Sequence, residues 1–169
     1  MEGFMQGGVM MRFCVLVLFV LAFLPFHTGA SVKGYVSVTE FDPSRDASKD
    51  IKAAVAEAAR TGRRVLLDVG GNWCVWCRRL DGMFSSNKDL AAARDRYYIT
   101  VKINYSPENK NEDLFSRYPK IPGYPHLFVL ETNGRLLHSQ STGDFESGKG
   151  YDSARIMEFL KKWAPRSKN

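Results

Sequence analysis

The sequence predicts an α/β domain, a mixed central β-sheet with helices on both faces. Three observations predict it. Short runs rich in β-branched and aromatic residues alternate with segments of helical periodicity. The last two strand runs flank Thr132-Asn133-Gly134, a hairpin turn. An amphipathic stretch then closes the chain, giving the order β-α-β-α-β-α-β-β-α.

Each element has its own warrant. Val36 to Phe41 alternates apolar and polar side chains, as a short strand does, and Asp42-Pro43-Ser44 stops it. Ser48 is placed to cap a helix, with Asp50 in its first turn. Ile51, Ala54, Val55, Ala58 and Ala59 form one helical stripe, and Gly62 ends it. Val65 to Val69 is short, apolar and β-branched, interrupted only by Asp68, so it reads as a buried strand. Gly70-Gly71-Asn72 turns the chain into Trp73-Cys74-Val75-Trp76-Cys77. Helix continues from Arg78 to Phe84, with Cys77, Leu80 and Phe84 on one face. Gly82 and Ser85-Ser86-Asn87 weaken or kink it, and Leu90 to Arg94 is a second helical piece. Tyr97 to Asn104 is a strand and Glu112 to Tyr118 a short helix. Pro119, Pro122 and Pro125 then break regular structure. Leu127 to Leu130 and Leu136 to Ser141 are the hairpin strands. Tyr151 to Trp163 is the closing helix, with Ile156, Phe159, Leu160 and Trp163 turned inward and Lys161 and Lys162 at its negative end.

The 169 residues are 44% hydrophobic and 25% charged, which excludes a disordered tail, a collagen-like repeat and a disulfide-dense mini-scaffold. The net charge of +6 is scattered, with Lys and Arg in twos at most, so nucleic acid is not an expected partner. Phe13 to Leu24 is an unbroken apolar run preceded by Arg12 and followed by Pro25 and Thr28-Gly29-Ala30, the pattern of a secretory signal. The run is short of the ~20 residues that span a bilayer. The expected organisation is therefore a signal peptide over residues 1–30, cleaved after Ala30, and a folded domain over 31–169. An uncleaved N-terminal anchor is the alternative. Cleavage removes Cys14 and leaves Cys74 and Cys77 in a periplasmic or secreted protein, a compartment where free thiols rarely persist.

Cys-x-x-Cys after a strand and a turn puts both sulfurs in the first turn of a helix. Unpaired N–H groups and the helix dipole favour a thiolate at the first of them, Cys74, and thiolate is the nucleophile of disulfide exchange. Cys77 is close enough to resolve a mixed disulfide. A c-type haem site requires His after the second Cys, where Arg78 stands. A structural zinc site requires about four ligands at metal-binding spacing; the expected mature chain offers His126 and His138 beside the pair but no second Cys pair, which makes zinc a poor reading. A purely structural disulfide closing so short a loop stabilises by only ~2 kcal/mol. Redox chemistry is the reading that remains, with no metal and no cofactor beyond the Cys74–Cys77 disulfide.

The stretch Asp68-Val69-Gly70-Gly71-Asn72-Trp73-Cys74-Val75-Trp76-Cys77 resembles the thioredoxin active-site segment. Asp68 stands six residues before the first Cys, where thioredoxins carry a buried acid, and Lys102 matches the lysine of the strand beside it. Gly123-Tyr124-Pro125 matches the segment that bears the family's cis-proline, and Gly134 and Gly143 match two later glycines. The resemblance covers about residues 48 to 163 and implies a thioredoxin fold. Val75-Trp76 stands where thioredoxins proper have Gly-Pro. That is more similar to thioredoxin-related periplasmic proteins, including the C-terminal domain of the membrane reductase of the disulfide-exchange system.

The resemblance implies a protein-disulfide oxidoreductase, leaning to reductase. Cys74 attacks, with Arg78 and Arg79 either adding positive field or simply solvated. Cys77 resolves. Asp68, its proton affinity raised by burial in an apolar strand, takes the Cys77 proton, and Lys102 is its neighbour. Trp73 packs beside the thiols, or is a plain core aromatic. Trp73, Val75, Trp76, Tyr124 and Pro125 make the partner-facing surface, a cis Pro125 turning the Tyr124 backbone toward the sulfurs so that an incoming chain pairs with it as an added strand. His126 reads as a strand-edge residue. Expected partners are protein thiols and disulfides, with a membrane electron donor as the candidate source of electrons. Contact with the membrane itself is expected only during export. The alternative is a thioredoxin-fold binding, chaperone or assembly module whose thiols are not essential.

Overall fold

The computed structural model describes Met1, Gly3 and residues 34–166. The expected signal segment otherwise lies outside the described residues, and the fold lies within the unit that begins at Gly34. The first regular element is α1 (Ala47–Thr61). Its cap is Asp46, whose carboxylate accepts the Lys49 N–H at 3.1 Å; Ser48, the expected cap, sits inside the first turn. Asp46 wins because the Asp42 turn ends early enough for Ala47 to begin the helix. Gly62, at φ 73°, ends α1 in the left-handed conformation that glycine adopts without steric cost.

Four strands form the sheet: β1 (Arg64–Gly70), β2 (Tyr98–Asn104), β3 (His126–Leu130) and β4 (Leu136–Ser141), in the order β2-β1-β3-β4. β1 and β2 are parallel; β1–β3 and β3–β4 are antiparallel. The remaining elements are α2 (Val75–Ser86), α3 (Lys88–Tyr97), α4 (Glu112–Phe115), a 3-10 turn (Thr142–Phe145), β5 (Glu146–Ser147), β6 (Gly150–Tyr151) and α5 (Ser153–Lys162). The expected mixed sheet with helices on both faces is what the chain builds.

Side chains alternate across the strands, so each face has its own core. Val65, Leu67 and Val69 pack with Ala54 and Ala58 of α1 and Leu114 of α4. Leu66, Leu127 and Val129 pack with Leu80 and Phe84 of α2, Leu90 of α3, and Ile156, Phe159 and Leu160 of α5. Arg64 secures the end of α5. Its guanidinium donates to the carbonyls of Trp163 and Ala164 at 2.9 and 3.1 Å and to Glu131 at 3.2 Å, meeting the orphan carbonyls of a helix end with a cation.

Three expectations are corrected. Val36–Phe41 forms no strand: only Val38 bridges to Val101, because the chain leaves the sheet so that Phe41 packs against Cys74 and Cys77. Helix does not begin at Tyr151: that residue belongs to the small β5–β6 hairpin, and α5 starts at Ser153 behind the Asp152 cap. Gly82 breaks nothing. α2 runs to Ser86, and Asn87 both ends it and caps α3 by accepting the N–H groups of Asp89 and Leu90.

Candidate active site

β1 ends at Gly70, and a tight turn delivers Cys74 as the N-cap of α2. The turn is held at both ends. The Cys74 N–H donates to the Gly71 carbonyl at 3.0 Å, the Asn72 amide to the Phe41 carbonyl at 3.1 Å, and the Arg78 guanidinium to the Asn72 carbonyl at 2.7 Å. Cys74 and Cys77 are joined as a disulfide, with Cα atoms 5.2 Å apart, and Cys74 Sγ accepts the Cys77 N–H at 3.1 Å. A sulfur thus occupies the place of a capping oxygen, where the free N–H groups of a helix start stabilise negative charge. Both glycines of the turn are needed for close approach. A Cβ at Gly70 would collide with Cys77 Sγ, and one at Gly71 with the Trp73 ring.

Tyr124 packs against the Cys74–Cys77 pair and is joined to Pro125 by a cis peptide bond. Tyr124 stacks on Tyr105 at 4.7 Å and meets the Trp73 ring edge-on at 5.7 Å. Trp73 is not a core aromatic. It is 55% exposed and anchored by its indole N–H, which donates to the Tyr105 carbonyl at 2.7 Å. Val75 is 45% exposed. Trp76 is half-buried, with the Arg79 guanidinium over its ring at 4.4 Å. An apolar surface therefore rims the cysteines, of which Cys74 is 3% and Cys77 2% exposed. Arg78 and Arg79 are not simply solvated, since one closes the turn and the other covers Trp76.

Asp68 and Lys102 are register partners on the adjacent parallel strands β1 and β2, on the face that α2 covers. They are not hydrogen-bonded to each other. The Lys102 ammonium pairs with Asp81 of α2 at 2.5 Å and lies 4.5 Å over the Phe41 ring. Asp68 is 6% exposed and its Oδ1 has no partner. Loss of hydration is the main reason its pKa is pushed up to about 7; Lys102 opposes the shift and Asp81 reinforces it. The carboxyl is thus poised to exchange a proton near neutral pH.

His126 is corrected: it lies inside the sheet, on a strand paired on both sides, and is 2% exposed. Its Nε2 meets Ser139 Oγ at 2.8 Å, and burial lowers its pKa to about 4, so the ring is neutral. Among the described residues no group of three or more His, Cys, Asp or Glu is placed to hold a metal. The structure thus brings Trp73, Cys74, Trp76, Cys77 and Tyr124 together around the sulfurs, with Asp68 and Lys102 on the sheet behind α2. Phe41, Asp81 and Tyr105 belong to the same neighbourhood and were not foreseen. For Asp81 a signal existed: it falls one helical turn after Cys77, on the same side of α2.

Residues 46–132 match the family profile described as thioredoxin-like. A thiol:disulfide interchange protein DsbD from Pseudomonas fluorescens is 25% identical over 142 residues, which are 83% of this chain and 22% of that protein. This chain spans about a fifth of the length of the curated relatives it matches. Among solved structures, a disulphide isomerase from Xylella fastidiosa Temecula1 is 27% identical, with a TM-score of 0.64 over 75% of this chain and 97% of that one. The oxidised C-terminal domain of Neisseria meningitidis DsbD is 20% identical, with a TM-score of 0.53 over 73% of this chain and 98% of that one, a likeness in fold.

Proposed function

This chain is a member of the thioredoxin-like family, a thiol–disulfide oxidoreductase by class, and we propose that it reduces protein disulfides through Cys74 and Cys77 outside the cytoplasm. The observation that carries the reading is the bonded sulfur pair at the start of α2, with Tyr124 of the cis Tyr124-Pro125 segment packed against it. In the reduced protein, the Cys74 thiolate attacks one sulfur of a partner disulfide. A mixed disulfide forms, and the partner's other sulfur leaves as a thiolate that takes up a proton. Cys77 then gives its proton to Asp68 and attacks the Cys74 sulfur. The Cys74–Cys77 bond closes and the second partner thiol is released, so two electrons have moved from this protein to its partner. An acid whose pKa sits near 7 can take the Cys77 proton at neutral pH, which supports Asp68 as the proton acceptor of the exchange step.

Trp73, Val75 and Trp76 supply the apolar rim that excludes water from the reacting sulfurs, and the Tyr124 backbone is the strand edge on which a partner segment pairs. The oxidised pair must be recharged by a dithiol donor. The relatives named as thiol:disulfide interchange proteins support a donor at the membrane, and the apolar leader supports export to the periplasm or beyond. Among the described residues no helix is long and apolar enough to cross a membrane. The test is reduction of insulin disulfides with dithiothreitol as donor. The wild-type chain should accelerate it and Cys74→Ser should not, while Cys77→Ser should accumulate a mixed disulfide at Cys74. An unchanged rate in Cys74→Ser would overturn the reading in favour of a binding module with incidental thiols.

A further inference from the structure

The two walls that face each other across the disulfide, the first turn of α2 and the Tyr124-Pro125 segment, are tied together by two hydroxyl groups. Thr142 Oγ1 donates to the Pro125 carbonyl at 2.7 Å. The Tyr151 hydroxyl lies 3.5 Å from Thr142 Oγ1 and 3.4 Å from the Trp76 carbonyl. Thr142 has one proton and gives it to Pro125, so toward Tyr151 it can only accept. The single phenol proton of Tyr151 is therefore shared between Thr142 Oγ1 and the Trp76 carbonyl. Both residues are buried, Thr142 at 3% and Tyr151 at 6% exposure. Burial raises the Tyr151 pKa to about 12, so the proton stays in place across the physiological range. The Tyr151 ring also meets the Trp76 ring edge-on at 5.3 Å.

Both residues come from the segment that follows the sheet. Tyr151 is fixed by β6, whose partner β5 continues the 3-10 turn that begins at Thr142, and the Asp152 N–H closes back on the Phe145 carbonyl at 2.8 Å. The segment 142–151 is thus a brace between walls that come from distant parts of the chain.

We propose that Thr142 and Tyr151 are positioning residues that set the gap between the start of α2 and Pro125, and so select for partners that enter as an extended polypeptide. This rests on the exchange reading above. A polypeptide paired on the Tyr124 backbone presents its sulfur to Cys74 only if that gap is held. A small disulfide makes no such pairing and does not sense it.

The test compares insulin with 5,5′-dithiobis(2-nitrobenzoate) as oxidants of the full chain, reduced beforehand and freed of dithiothreitol so that the Cys74–Cys77 dithiol is the only electron source. Thr142→Val keeps shape and loses the donor, Thr142→Ser keeps the donor, and Tyr151→Phe keeps the ring and loses the proton. Removing one neutral hydrogen bond should lower the second-order rate constant for insulin roughly fivefold in Thr142→Val and Tyr151→Phe. The small disulfide should be reduced within about twofold of wild type, and Thr142→Ser should restore the insulin rate. Insulin rates within about twofold of wild type in both variants would overturn the proposal. So would a parallel fall on both substrates, which is the mark of general damage to the fold. Should Tyr151→Phe fail to fold, the Val and Ser variants of Thr142 decide alone. A wild-type chain that does not reduce insulin would instead defeat the exchange reading, and this proposal with it.

Discussion

Asp68→Asn removes the one buried acid of the α2-facing sheet, and the structure sets the size of the effect. Asp68 titrates near 7 in the fold against 3.8 when hydrated, and burial is the main cause. Below about pH 4 the carboxyl is protonated in both folded and unfolded chains, so its ionisation costs nothing. Between there and about pH 7 the unfolded chain gives up the proton and the folded chain keeps it, so stability falls as pH rises. Above about pH 7 the penalty is complete. A shift of about three units at 1.36 kcal/mol each comes to roughly 4 kcal/mol. Asparagine does not ionise and carries no such penalty. The unfolding free energy of Asp68→Asn should therefore gain on wild type by roughly 4 kcal/mol between about pH 4 and pH 8. Urea unfolding of the oxidised proteins across that range measures it. A difference between the two proteins that stays constant with pH would refute the argument.

The same group predicts a rate profile: insulin reduction by wild type should fall on the acid side with a midpoint near pH 7, and Asp68→Asn should be slow with no such limb. Arg64→Ala should lower stability by about 2 kcal/mol, since it frees two carbonyls at the end of α5 and unpairs Glu131; thermal unfolding checks it. Gly70→Ala should cost about 1–3 kcal/mol in the oxidised protein, because the added methyl meets Cys77 Sγ and the Phe41 ring, and an unchanged unfolding midpoint would contradict the close approach.

Much of this was legible from residue types alone. Val65 to Val69 and Tyr97 to Asn104 show strand composition, and the structure has β1 and β2 there within a residue or two. Thr132-Asn133-Gly134 marks its hairpin, where Gly134 takes φ 84°. Cys74 and Cys77 announce themselves by spacing, and Asp68 by being the one charge in an apolar run. What was not legible depends on tertiary contact. Phe41 looks like the last residue of a strand until Cys74 and Cys77 are packed against it. Tyr151 reads as the start of a helix because a two-residue strand has no period to detect. The partner of Lys102 could not be chosen between Asp68 and Asp81 without the register of β2 against β1 and the path of α2 above them.

The reduction potential of the Cys74–Cys77 couple tests the central claim most directly. Equilibration of the purified chain in buffers of graded reduced and oxidised glutathione or dithiothreitol, read by thiol alkylation, should give a two-electron couple at roughly −270 mV, the range of thioredoxin-type reductants. A value of roughly −120 mV would mark an oxidant, and a pair that does not titrate at all would remove the redox site; either result contradicts a protein built to reduce the disulfides of others.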